Sequence, residues 1–230
     1  LQLEGSGLED SIHKLYQELD LQGINFRPHC YLADEWFVPA GDTSIGMPFY
    51  LAHSRLKKLE QKIMLEVEGG TPSWCMKLLR HEAGHAIYYA YGLHKKKKLR
   101  DIFGPPTKET PDTYRPKPYS KNFVRHLDNW YAQSDPDEDF AETFAVWLTA
   151  EEDWKARYRG WKALKKLEYV DQLMQSLKGK SPVKVTQEQP YVVSRLKLKL
   201  KTYYQRKRKQ YEEDYPDFYD SHLNKLFSSN

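Results

Sequence analysis

Apolar residues recur at helical spacing from Leu8 to Leu21 (Leu8, Ile12, Leu15, Leu19), which predicts a helix packed on a core and ended by Gly23. From Ile24 to Phe37 the pattern changes to Phe26, Cys30, Tyr31, Leu32, Trp36 and Phe37, interrupted by Pro28, and predicts one or two short strands. Pro39 to Asp42 reads as a turn, and Ile45 to Leu51 as a further strand. Pro48 within it favours a sheet edge, where a missing N–H is harmless. An exposed edge can pair with an extended peptide, which makes Gly46, Met47 and Phe49 candidate substrate-binding residues. A plain structural strand accounts for the same residues.

Helical spacing returns in Ser54 to Glu68 (Leu56, Leu59, Ile63, Val67), and Gly69-Gly70 leads into a longer helix. Thr71 is placed to cap that helix, Pro72 to occupy its first position and Gly92 to stop it. Trp74, Leu78, Ile87 and Tyr88 form its apolar stripe. Strand-rich segments followed by helices point to an α+β layout. Lys95 to Lys98 form a basic cluster suited to a helix C-terminus. Gly104 to Tyr119 carries five prolines without a period and reads as an irregular loop able to wall a cleft. Phe123 to Tyr131 reads as a short helix or turn, and Glu151 to Leu177 as a continuing helix. Gly179 to Pro190 has a linker's composition.

The chemistry is concentrated in His81-Glu82-Ala83-Gly84-His85. Two histidines four apart on a helix project from one face and can hold one Zn²⁺. Glu82 would then flank the metal, placed to take a proton from an activated water. A second helix starts at Asp135 (N-cap) and Pro136, with Glu138 three residues in. Glu138 can serve as the acid of a capping box, yet it also shares a face with Glu142, a repulsive pair unless a cation lies nearby. Zinc between this helix and the histidine helix would supply that cation, with Glu138, Glu142 and Asp139 as the acids able to reach it. His126 is a weaker candidate, because a structural role explains it equally well.

HExxH followed by a helix bearing Glu-x-x-x-Glu resembles the gluzincin metallopeptidases, in particular the anthrax lethal factor and Mlc titration factor group. The segments MPFYLAHSRL, LRHEAGHA and DEDFAETFAVWL resemble a bacterial family of putative zinc-binding metallopeptidases over about Tyr31 to Val170. The resemblance implies a zincin-like fold and a metal held by His81, His85 and Glu138. It implies that Glu142 supports a ligating histidine from behind, and that Tyr131, seven residues before Glu138, faces the metal. The interval from His85 to Glu138 is longer and richer in proline than in many gluzincins, so the resemblance leaves cleft shape and substrate undefined.

Composition narrows the remaining classes. With 230 residues, 40% apolar and 14% aromatic, the chain can build a sizeable core. No run approaches the roughly 20 apolar residues of a membrane span. Cys30 and Cys75 lack metal-ligand spacing and read as free thiols of a reducing, cytoplasmic compartment, a single disulfide being the alternative. Arg195 to Lys209 holds eight basic residues and no acid, interleaved with Leu196, Leu200, Tyr203 and Tyr204. A surface helix docked by its leucines and tyrosines, with its lysines in solvent, is favoured there over contacts with nucleic acid, an acidic partner or an anionic membrane surface, since Glu212, Glu213, Asp214 and Asp217 follow. The expected division is residues 1–7 as an expression remnant or frayed end, 8–178 as a zincin-like metallopeptidase domain, 179–194 as a linker and 195–230 as a basic, helical extension. The expected function is zinc-dependent hydrolysis of a peptide or protein. The other classes are a zinc-containing module that binds peptides without cleaving them, and a nucleic-acid-associated factor.

Overall fold

The computed structural model describes residues 1–105, 114–149 and 153–214, with side chains through Tyr211. It is an α+β arrangement in which a small parallel sheet and several helices surround one long helix. The elements are α1 (Leu8–Leu21), β1 (His29–Ala33), β2 (Ser44–Pro48), α2 (Ser54–Met64), α3 (Pro72–Ala90), α4 (Lys97–Phe103), α5 (Pro136–Leu148), α6 (Trp154–Arg157), α7 (Ala163–Leu177) and α8 (Leu200–Asp214). No described helix is long and apolar enough to cross a membrane.

α1 buries the predicted stripe of Leu8, Ile12, Leu15 and Leu19. Its end is a Schellman motif: Ile24 N–H donates to the Leu19 carbonyl (3.0 Å) and Gly23 N–H to that of Asp20 (2.9 Å). Gly23 takes φ of 72°, which a side chain would disfavour. α1 is bound to α3 by a buried ion pair, Arg80 donating to the two Glu18 oxygens at 2.8 and 2.6 Å. α3 starts as its sequence predicts, Thr71 Oγ1 accepting from Trp74 N–H. It is buried on nearly every side, His81 through Gly84 included, while His85 is partly exposed.

β1 and β2 run parallel, Cys30 facing Ile45 and Leu32 facing Met47. The strand predicted to reach Leu51 stops at Pro48, and Phe49–Ala52 form a 3₁₀ turn. Phe49, Tyr50 and Leu51 are all buried, and an alternating strand would turn one of three neighbours to the opposite face. The turn satisfies all three. At Gly46 the outer edge of β2 is occupied: its N–H donates to the Phe37 carbonyl (2.9 Å) and its carbonyl accepts from Phe37 N–H (3.4 Å). The expected open edge is therefore closed at Gly46 by the chain's own crossover.

Other boundaries also shift. α2 stops at Met64, four residues short of the prediction, with Leu65 in the left-handed region and 80% exposed. The helix predicted from Glu151 to Leu177 is interrupted; residues 150–152 lie outside the described residues, and Gly160 (φ 79°) lies in the turn between α6 and α7. Phe123 to Tyr131 is turn and bend, followed by the 3₁₀ turn Tyr131–Gln133. Of the proline-rich loop, residues 106–113 lie outside the described residues.

The stretch with linker composition is hydrogen-bonded to the body. Val183 and Lys184 N–H both donate to the Ala90 carbonyl, at 2.8 and 3.1 Å, closing the C-terminal end of α3. Thr186 and Thr43 bond reciprocally through hydroxyls and backbone, and Tyr31 OH donates to the Pro190 carbonyl. α8 docks through Tyr203, whose hydroxyl donates to the Asp34 carbonyl, and through Lys207, buried and 2.9 Å from Glu60. Of the expected leucine and tyrosine anchors the tyrosines dock, Tyr204 being 4% exposed, and the expectation of docked leucines and solvated lysines is corrected at two positions. Leu200 is 44% exposed, whereas Lys207 is buried over the Tyr50 ring.

Candidate metal centre

α3 and α5 cross where α3 has no side chain. A Cβ built on Gly84 would lie 2.9 Å from Ala141 Cα, so the two backbones are in contact. The close crossing carries the side chains one turn away on each helix toward one another. A Gly84→Ala protein is expected to lose about 1–3 kcal/mol of stability, since backbone cannot yield as a flexible side chain can. Chemical denaturation checks it, and a wild-type midpoint would contradict the crossing.

His81, His85 and Glu138 converge at this crossing, their ligand atoms all within 4.8 Å of one another, and this group can hold a metal ion. His81 Nε2 lies 3.0 Å from Glu138 Oε2, His85 Nε2 lies 3.1 Å from the same oxygen, and the two Nε2 atoms are 3.2 Å apart. A tetrahedral ion with bonds of about 2.0–2.1 Å separates its ligands by about 3.3–3.4 Å. The observed triangle is within a few tenths of an ångström of that face. The donor set also fits chemically. A His81 protonated at Nδ1 donates to Glu142 Oε1 (3.0 Å) and turns the Nε2 lone pair toward the cluster. Two imidazole nitrogens and a carboxylate oxygen then meet as acceptors, an arrangement a shared cation satisfies.

Glu142 is fully buried, and its second oxygen accepts from Leu127 N–H at 2.9 Å. Burial opposes its charge, but His81, His126 and the Leu127 N–H outweigh it and hold the carboxyl below its usual range. Glu138 behaves likewise: burial raises it, and the two histidines depress it further than burial raises it. Burial works against a charged His81, yet the bonds to Glu138 and Glu142 raise its pKa well above the ordinary imidazole value. The pocket of the histidines is thus electrostatically built for positive charge.

Glu82 is buried, and burial is the main cause that raises its pKa, against the lowering influence of His81 and His85. Tyr131 is half-buried with its ring 5.7 Å from that of His81, and burial raises its hydroxyl. Glu138 sits where a capping-box acid would, but its carboxylate is engaged by the histidines; Asp135 alone caps α5, accepting from Asp137 N–H. Asp139, the substitute ligand, turns elsewhere and pairs with Lys166. His126 is not in the cluster; its Nε2 donates to the Lys77 carbonyl at 2.9 Å and ties the loop before α5 to α3.

The candidate substrate strand does not join the group. Met47 is fully buried, Gly46 is paired with Phe37, and Phe49 packs edge-on against Tyr203 at 5.2 Å. Two groups at the centre were missed from sequence. The Leu127 N–H that holds Glu142 has no side-chain signature. Tyr114, whose hydroxyl donates to the Asn129 carbonyl, carries only the signal of a tyrosine in a proline-rich loop. No family model, no curated protein and no solved structure matches the chain.

Proposed function

We propose that the chain is a zinc-dependent peptidase of gluzincin type with a zincin-like fold, acting on peptide bonds of a peptide or protein. The observation that carries the reading is the meeting of His81, His85 and Glu138, three residues of two helices, beside the buried Glu82. Two nitrogens and one oxygen are the ligand set of catalytic rather than structural zinc, which leaves a fourth position open. Zinc bound there supplies Lewis acidity, bringing the pKa of water toward neutrality and polarising a carbonyl.

The chain's own groups do the rest. Glu82 follows His81 on the same helical turn and, held in a buried setting, is the base that takes the proton of the attacking water and delivers it to the leaving amine. Glu142 fixes the ring orientation of His81 through Nδ1 while itself fixed by Leu127 N–H. Tyr131, against His81, is the donor placed to stabilise negative charge on the carbonyl oxygen. Two buried free cysteines agree with a reducing compartment, the cytoplasm of a bacterium in this reading.

A Glu82→Gln protein tests the assignment. It is expected to bind zinc with wild-type stoichiometry while hydrolysis of a peptide library slows by about 10²–10⁴-fold. Hydrolysis at the wild-type rate would remove Glu82 as the base. A wild-type protein that bound zinc but cut nothing in the library would leave a module that grips peptides without cleaving them.

A further inference from the structure

Two cross-links bracket Tyr131, and neither belongs to the ligand set. On its N-terminal side the Tyr114 hydroxyl donates to the Asn129 carbonyl at 2.8 Å. On its C-terminal side the Gln133 side chain engages both backbone groups of Lys117, accepting from Lys117 N–H at 2.8 Å and donating to the Lys117 carbonyl at 3.1 Å. The Tyr114 ring also stands edge-on to the Tyr131 ring, centroids 6.4 Å apart. The segment 114–117 therefore grips 129–133 at two points, with Tyr131 between them.

The backbone between those points needs such a grip. Asn129 and Trp130 have φ of 56° and 54°, a left-handed pair without glycine, immediately before Tyr131. L-residues avoid this conformation, and it persists where surrounding contacts over-determine it. Released, the pair would relax toward negative φ and swing the following residue. That residue is the one whose ring faces His81.

We propose that the segment Tyr114–Lys117 is a clamp that aims Tyr131 at the metal centre, with Tyr114 as the positioning residue. The inference rests on the peptidase reading for its consequence in turnover, and on the loop geometry alone for the clamp itself. Tyr114 acts through Tyr131: loss of its hydroxyl leaves ligands, base and metal in place and misdirects one donor.

The test uses Tyr114→Phe in the full chain, which keeps the ring and removes the bond to Asn129. With zinc bound, kcat is expected to fall about 10–100-fold, the cost of a misplaced group, with KM and zinc affinity unchanged. On a Tyr131→Phe background the same change is expected to cost nothing further. Losses that multiply would overturn the clamp. The second readout needs no turnover: 3-fluorotyrosine incorporated at position 131 is expected to give one fluorine resonance in the otherwise wild-type chain, shifted or split by Tyr114→Phe. A resonance that Tyr114→Phe leaves unmoved would also overturn it. If the wild type cleaves no peptide, the peptidase reading fails, and the fluorine resonance still decides the clamp.

Discussion

An Arg80→Ala protein is expected to be about 3–5 kcal/mol less stable than the wild type in urea or guanidinium denaturation. Arg80 and Glu18 are each only 7% exposed, and the guanidinium closes on the carboxylate through two hydrogen bonds. Removing the guanidinium leaves the Glu18 carboxylate in the core between α1 and α3, without water and without a counter-charge. The loss is a large share of a typical total of about 5–15 kcal/mol. Replacing both residues by apolar side chains, Glu18→Leu with Arg80→Met, is expected to recover most of it, because the greater cost lies in the unpaired charge. An Arg80→Ala chain destabilised by less than about 1 kcal/mol would show that Glu18 finds water or another partner, and that α1 is not locked to α3 as described.

His81→Ala is expected to abolish stoichiometric zinc binding, with affinity reduced by well over 100-fold, since losing a group that only supports a ligand already costs about 10–100-fold. His85→Ala should lose the metal as completely. The two should nevertheless differ without metal. His81 carries a second bond, from Nδ1 to Glu142, and Glu142 is wholly buried. Its removal leaves that carboxylate with the hydrogen bond from Leu127 N–H and the weaker influence of His126, so the His81→Ala apoprotein should melt below the His85→Ala apoprotein. Metal analysis after gel filtration and a thermal scan of the metal-free proteins measure both effects. Zinc retained by either variant at wild-type stoichiometry would remove that histidine from the site. Equal melting of the two apoproteins would remove the link from Glu142 to fold stability.

The residues of this centre were legible because each half of it is local. His81 and His85, and Glu138 and Glu142, are spaced to share a helix face, and caps at Thr71 and Asp135 mark where the helices begin. α1 was legible to the residue, since four buried aliphatics and a glycine in a Schellman motif are all written within seventeen positions. What could not be read is pairing over distance. Nothing in Phe37 announces that its backbone closes the edge of β2 at Gly46, nor in Leu127 that its N–H holds Glu142. The strand overrun at Phe49 to Leu51 has a related cause. Three consecutive apolar residues suit a buried strand or a tight turn equally, and only the surrounding core decides. Lys207 is the sharpest case. A lysine in a run of eight basic residues looks solvated, until Glu60, 147 residues earlier, proves to be waiting for it.

The three residues of the triangle also arrive at different times. Glu138 lies 53 residues after His85, and the amides that close the C-terminal end of α3 come later still, at Val183 and Lys184. At a ribosomal pace of about 5–20 residues per second, the two imidazoles emerge roughly 3–10 seconds before the carboxylate that completes their triangle. During that interval the nascent chain presents a bidentate histidine pair, able to pick up a metal loosely and to lose it again. A metal held by all three residues would therefore be captured tightly only when α5 settles against Gly84, and would be chosen by a nearly assembled fold rather than by a bare helix.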